Sequence, residues 1–382
     1  MEYFITEIEI KKVRHLENLT IKLSDTERKH LILTGKNGSG KTSVLEWIWI
    51  TLGQLDGEAT LITSQGSSKI PEVERLKNGF VHILLSNTSN LYSKVREGEV
   101  LLVHFHATQN RVNKPELPKG SIKLDLNAIR TGTRISIIQY LVNLRFDKLN
   151  ALDENDSETA KKIDEWFVNF TKILQSIFQD TELQLKFDIS EKNYYILTKG
   201  REKFDFTTLS DGYSAFLNIV VELMLRMESK APKVYDIQGI VLIDEIETHL
   251  HIDLQKKIMP LLTTFFPKIQ FIVTTHSPFV LSSISNAVIY DLEKHLRVED
   301  LSSYAVDGII EGYFDADKYS QEIKTKMARY KILAQKEQKT IEEREEFVDL
   351  RSELKDISAK LAPELAYDFK TLELSRLSKI ND

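Results

Sequence analysis

The 382-residue sequence contains no cysteine, which excludes a disulfide framework, a thiol nucleophile and every thiolate-ligated zinc or iron–sulfur site. Histidine is sparse, nine in all, and none follows His295. Histidine-dependent nuclease chemistry in the last part of the chain is thereby excluded. Glycine and proline are few, 15 and 8, and no long stretch has the one-signed, weakly hydrophobic composition of a disordered tail. A long apolar run is also missing. The densest window, residues 44–52, is too short to span a bilayer and contains Glu46. The first ten residues alternate apolar and polar side chains and carry no signal-peptide pattern. The expectation is a cytoplasmic protein without a membrane contact. A net charge of −6 supplies no global attraction to nucleic acid, so DNA or RNA would need a local basic patch.

What is present is a 42% hydrophobic content, enough for two or three compact units. Residues 3–12 and 19–23 alternate like two strands of a hairpin, with residues 15–18 between them. The apolar run 31–34 enters a Gly-rich turn, and residues 43–52 follow as a buried helix. Short strands are expected at 81–85 and 100–106, after which Pro115 and Pro118 break the pattern. Helical spacing then appears in Ile138, Leu141 and Leu144 and in Trp166, Phe170, Ile173 and Ile177, with a polar loop at 153–157. Strand alternation returns at 183–189 and 194–198, and residues 215–227 read as an apolar helix. The runs 240–243 and 271–274 suit central parallel strands separated by a helix over 253–265. Residues 319–377 look helical, basic first (Lys324, Lys326, Arg329, Lys331, Lys336, Lys339) and acidic over 342–349, as in a solvated helix pair.

Four short blocks carry chemistry. Gly35-Lys36-Asn37-Gly38-Ser39-Gly40-Lys41-Thr42 matches G-x-x-x-x-G-K-[ST] between the expected strand and helix, and Ser43 opens that helix. The glycines allow backbone amides to wrap phosphates, Lys41 reaches the β and γ oxygens, and Thr42 offers a hydroxyl to Mg²⁺. Residues 239–245 form an apolar strand ending in Asp244 and Glu245, the first placed to hold the metal and the second to polarise the attacking water as general base. The run 272–276 delivers His276 to the same rim, as a γ-phosphate sensor. Finally, Leu209-Ser210-Asp211-Gly212-Tyr213 precedes a helix and looks like a second anion cradle. One ATP does not need two. The economical explanation is that Ser210 and Gly212 close over a nucleotide held by a second protomer, making ATP the glue of a two-fold homodimer or a higher homo-oligomer.

In their order along the chain the four blocks resemble the ABC-type ATPases, with residues 209–213 as the signature motif and the likeness spanning about residues 5–290. The opening hairpin, the run 244–251 and Thr274-Thr275-His276-Ser277-Pro278 look most like the RecF/OLD-related branch of bacterial AAA-family ATPases. Within it, the resemblance is to the ATPase components of Septu-type and retron-associated anti-phage systems. It implies an α/β P-loop fold of ABC/SMC-like type: a mixed central sheet, an N-terminal antiparallel β-subdomain, an inserted helical lobe and a helical C-terminal extension. The corresponding divisions are 1–110 (first part of the ATPase lobe), 111–182 (helical insert), 183–295 (signature and rest of the core) and 296–382 (extension). The resemblance also makes the stretch around His249 the D-loop, offers Gln109 as the glutamine-loop contact to Mg²⁺, and points to a separate nuclease or other effector as partner. Asp211 and Tyr213 depart from the Gly and Gln common in transporters, which alters the edge of the trans contact.

Other features carry less. His104 with His106 and His249 with His251 could each offer two imidazoles to a metal, but no third ligand is evident. Asp315-Ala316-Asp317 has the D-x-D spacing of a TOPRIM nuclease, with too little chain around it to build that domain. A DNA-binding repair ATPase is the competing function, its groove lined by Lys114, Lys119 and Lys123 or by the basic stretch 324–339.

Overall fold

The structure is a computed structural model that describes residues 2–55, 60–63, 66–69, 79–87, 91–105, 137–230, 237–314, 319–336, 338–355 and 362–381. Gln109, His106, Lys114, Lys119, Lys123 and Asp315–Asp317 lie outside these residues. Two compact units are present, residues 1–304 and 305–382.

In the first unit, β1 (Ile5–Val13), β2 (Leu16–Lys22) and β3 (His30–Thr34) lead into α1 (Lys41–Leu55). A small hairpin, β4 (Thr60–Thr63) and β5 (Gly66–Lys69), precedes β6 (Gly79–Leu85), α2 (Leu91–Glu97) and β7 (Val100–Phe105). Two helices follow, α3 (Ile137–Asp153) and α4 (Ser157–Phe178), and then a separate antiparallel sheet of β8 (Gln184–Asp188), β9 (Asn193–Leu197) and β10 (Phe204–Asp205). The chain continues with α5 (Asp211–Lys230), β11 (Gln238–Ile243), α6 (Ile252–Gln255), α7 (Ile258–Phe265), β12 (Ile269–Thr274), α8 (Pro278–Leu281), β13 (Ala287–Asp291) and β14 (Leu296–Glu299).

The central sheet has the order β14-β13-β3-β12-β11-β7. All neighbours are parallel except β14, which runs antiparallel to β13. Every residue of β3, β12 and β13 is buried, as strands covered on both faces require. A second, antiparallel sheet, β2-β1-β6, contributes Ile8, Ile10, Leu16 and Ile21 to a core shared with Val44 and Ile48 of α1 and with Leu242 and Ile272 of the central sheet. The two sheets are tied together by Gln270. Its Oε1 accepts from the Ile5 N–H (2.7 Å), and its Nε2 donates to the carbonyls of Ile5 (3.0 Å) and Lys29 (2.7 Å). A buried amide is tolerated in a central strand because both its ends are satisfied. This is the α/β architecture that the four motifs imply, with its mixed sheet and antiparallel subdomain.

Several elements differ from expectation for identifiable reasons. The first hairpin turns at Arg14–His15, since Val13 pairs with Leu16. The left-handed Arg14 (φ 54°) permits this tight reversal without a glycine. The helix expected over 253–265 is two helices, α6 and α7. Pro260 has no N–H and would clash with the carbonyl four residues back in a continuous helix. The chain therefore restarts at Ile258 with the proline in the first turn, where an N–H has no intrahelical partner anyway. The first unit also runs beyond residue 296, because β14 joins the central sheet.

From residue 319 on, the described residues of the second unit form three α-helices instead of a pair: α9 (Gln321–Gln335), α10 (Ile341–Lys355) and α11 (Pro363–Asn381). They pack around a fully buried Tyr330, whose ring stacks on Phe347 at 5.0 Å and meets Phe369 at 5.3 Å. The basic and acidic stretches are each other's partners. Arg329 forms a two-pronged pair with Glu346 (2.8 and 2.6 Å), Lys326 bridges Glu322 and Glu353, and Lys336 holds Glu343. Local neutralisation of this kind weakens the reading of residues 324–339 as a phosphate-binding strip.

Candidate nucleotide site

The loop from Gly35 to Thr42 connects the C-terminal end of β3 to α1. Gly35, Gly38 and Gly40 have φ values of 134°, 86° and 97°, conformations open to glycine and costly for other residues. A side chain at position 35 would also collide with Ser39 Oγ at 2.8 Å, whereas one at 38 would meet nothing within 4 Å. The loop is therefore tight behind and open in front. Lys41 is buried, and its Nζ donates to the carbonyls of Gly35 (2.9 Å) and Lys36 (3.0 Å). Burial lowers its pKa, while the carboxylates of Glu245, Glu247, Asp244 and Asp291 pull it back up. Thr42 is exposed on the first turn of α1, and Ser43 is buried beneath it.

β12 lies between β3 and β11, so the ends of three adjacent parallel strands converge beside this loop. Asp244, at the end of β11, is buried and accepts a 2.5 Å hydrogen bond from Thr274 Oγ1. The same hydroxyl accepts from the Glu245 N–H at 2.7 Å. Thr274, to which the sequence pattern assigns no role of its own, thus fixes both acids at once. Its signals in the sequence are its place at the end of an apolar strand, two residues before His276, and in the block 274–278. Glu245 has a left-handed backbone (φ 46°), and its Oε2 accepts from Thr248 Oγ1 at 3.3 Å. His276 is half-buried; desolvation first, and the Lys41 ammonium second, lower its pKa against the opposing pull of Glu247, Glu245 and Asp244. It therefore stands neutral near pH 7, able to donate from one ring nitrogen and accept at the other.

Thr274→Val keeps the shape of the side chain and removes its oxygen. It should lower kcat for ATP hydrolysis about 10-fold or more through misplacement of both acids. The lost hydrogen bonds should cost about 1–3 kcal/mol in stability. Steady-state hydrolysis measured beside thermal unfolding checks this, and an unchanged kcat would contradict it.

The structure gathers Lys41, Asp244, Glu245 and His276 into one electrostatic cluster. Ser210 and Asp211 are exposed at the N-terminus of α5, and Gly212 is buried against the backbone of the His249–His251 turn. A methyl group at Gly212 would stand 3.0 Å from the His249 carbonyl oxygen. This glycine is thus required for packing within the chain, whatever it does across a dimer. Tyr213, the other departure from the usual signature, stacks on Phe178 at 4.6 Å and so joins α5 to the end of α4. Of the imidazole pairs weighed as ligands, His104 is buried beside Trp49 and His251 is exposed, 4.0 Å from Asp253. Among the described residues no group of three or more His, Cys, Asp or Glu could hold a metal ion by itself.

The residues present fit a magnesium nucleotide. Ser39 Oγ and Thr34 Oγ1 are buried without a hydrogen-bond partner among the described residues. Ser39 lies in the glycine-lined loop that leads to Lys41, and Thr34 ends β3, the strand that enters it. No helix among the described residues is long and apolar enough to cross a membrane.

Comparison with known proteins agrees with this chemistry. The chain is similar to the Septu protein PtuA of Bacillus mycoides (strain KBAB4), 25% identical over 374 residues that cover 92% of this chain and 50% of that protein. It is similar to the "Retron Vc95 probable ATPase" of Vibrio cholerae serotype O1 biovar El Tor, 28% identical over 219 residues, 56% of this chain and 39% of that one. A Septu protein PtuA of Bacillus thuringiensis is 24% identical over 315 residues, 73% of each chain. The chain thus spans half the length of the first of these relatives and less of the second. Among solved structures, the SMC head domain from Thermotoga maritima has 15% identity, covers 75% of this chain and 94% of its own, and superposes with a TM-score of 0.38, a loose likeness. The family described as "AAA domain, putative AbiEii toxin, Type IV TA system" matches residues 77–282. That match begins after Gly35–Thr42, so the phosphate loop stands on its own motif and geometry. Since the match covers more than half of the chain, the protein belongs to this family of AAA-type ATPase domains.

Proposed function

We propose that the chain hydrolyses ATP with Mg²⁺, dimerises around the nucleotide and uses the closing and opening movement to gate a separate effector, a nuclease, in anti-phage defence. The observation that carries the hydrolytic half is the convergence of Lys41, Asp244, Glu245 and His276 at the ends of β3, β11 and β12. The amides and Ser39 of the loop would cradle the phosphates, with Asn37 and Gly38 at its open face. Thr42 and Asp244 would hold Mg²⁺, which shields phosphate charge when bound. Glu245 takes the proton of the attacking water, and the neutral His276 donates to the γ-phosphate oxygens.

The dimer and the partner are supported differently. Two anion-binding helix starts for one nucleotide favour completion in trans, with Ser210 on the exposed edge. Similarity to Septu and retron proteins supports the defence setting. If the site is completed by a second copy, turnover per chain should rise with chain concentration, and ATP should shift the sedimenting mass from one chain to two. Concentration-independent turnover by a monomer would overturn this reading. A RecF/SMC-like DNA-binding ATPase is the second reading. It would show as ATP-dependent, salt-sensitive DNA binding by the chain alone.

A further inference from the structure

Glu247 belongs to none of the roles assigned above, yet one of its carboxylate oxygens ties it into the site. Its Oε1 accepts the backbone N–H of His276 at 2.6 Å. Its Oε2 is buried and has no hydrogen-bond partner among the described residues. The residue sits in a turn whose ends, Glu245 and His249, both have left-handed φ values of 46° and 67°. Non-glycine residues hold such conformations only when their surroundings over-determine them. Two anchors do so here. The Glu245 N–H is held by Thr274 Oγ1, and the Glu247 carboxylate grips the segment just after β12. The turn is closed internally by Thr248 N–H to the Glu245 carbonyl (3.0 Å) and Leu250 N–H to the Glu247 carbonyl (2.9 Å). Ser277, the residue after His276, is fixed separately by Gln255 Oε1 at 2.7 Å.

We propose that Glu247 is a positioning residue for hydrolysis: by holding the His276 amide it locks the histidine-bearing segment to the turn that carries Glu245, so that base and sensor face the γ-phosphate in one fixed geometry. This rests on the hydrolytic reading above. The carboxylate acts through His276 and Glu245 and touches no reacting atom. Its job requires an acceptor oxygen at the end of a three-carbon reach, which glutamine also supplies.

The test uses the full chain, with Mg²⁺ and ATP for steady-state turnover and a fluorescent ATP analogue for equilibrium binding. Glu247→Ala should lower kcat about 10- to 100-fold, the scale of a small misplacement of reacting groups, with analogue affinity within about threefold of wild type. Glu247→Gln should recover most of that loss, because its carbonyl can accept the amide. Should the alanine variant not fold, Glu247→Asp, which withdraws the carboxylate by one methylene, should show the same fall in kcat at retained affinity. Wild-type kcat in Glu247→Ala, or in Glu247→Asp where that variant stands in for it, overturns the proposal. So does a glutamine variant as impaired as the alanine one, or a loss confined to affinity. If the wild-type chain itself does not hydrolyse ATP, the hydrolytic reading fails and takes this proposal with it. A hydrolysing wild type with an unaffected Glu247→Ala sinks this proposal alone.

Discussion

Glu245→Gln is expected to keep nucleotide affinity and lose turnover by about 10²–10⁴-fold, the range a positioned general base contributes. The amide has the size of the carboxylate and can still accept from Thr248 Oγ1, so the 3.3 Å contact and the left-handed turn need not change. What disappears is the capacity to take a proton from water. If two chains close around ATP, the substitution should also accumulate the closed species. Sedimentation with Mg²⁺-ATP should then show two chains per particle, long after wild type has returned to one. The two readouts separate two ideas. Normal turnover would remove Glu245 from the chemistry, whereas lost turnover in a persistent monomer would leave the base in place and remove the trans closure.

The site was legible in the sequence where chemistry dictates residue type at fixed spacing. A loop that must bend at three positions uses Gly35, Gly38 and Gly40, and a strand that carries acids to the rim ends in Asp244-Glu245. The parallel core was legible for a similar reason. Strands covered on both faces, such as β11 over residues 240–243, read as uninterrupted apolar runs. What was not legible depends on partners distant along the chain. Thr274 and Glu247 are ordinary polar residues until the fold sets them 2.5 Å from Asp244 and 2.6 Å from the His276 amide. Gly212 looked like part of an anion cradle alone, because nothing in the sequence places the His249 carbonyl against it. In the tail, charge pattern gave the helices but not their mutual pairing, so a basic strip and an acidic strip hid a set of ion pairs between α9 and α10.

Stability should fall steeply in mild acid, and His30 should cause a definable part of it. The imidazole is buried at the start of β3, beside Phe271 at 5.8 Å between ring centres, and its Nδ1 accepts the Phe271 N–H at 3.1 Å. Burial first, and the nearby Arg28 charge second, lower its pKa to about 4 from an ordinary 6.5. The unfolded chain therefore binds a proton on His30 below about pH 6.5 that the folded chain refuses until about pH 4. Because the unfolded state holds more protons in that window, stability rises with pH across it. The contribution is complete above pH 6.5, declines as pH falls and is gone below about 4. At about 1.4 kcal/mol per pH unit the window amounts to about 3 kcal/mol. His30→Asn offers an amide oxygen where Nδ1 stands and has no proton to gain. Urea unfolding of both proteins between pH 6.5 and 5, above the range where most carboxylates titrate, should give a shallower slope for the variant by about one proton. Parallel slopes would mean that the folded protein can protonate this histidine, through an opening of the β3–β12 layer that its burial does not suggest.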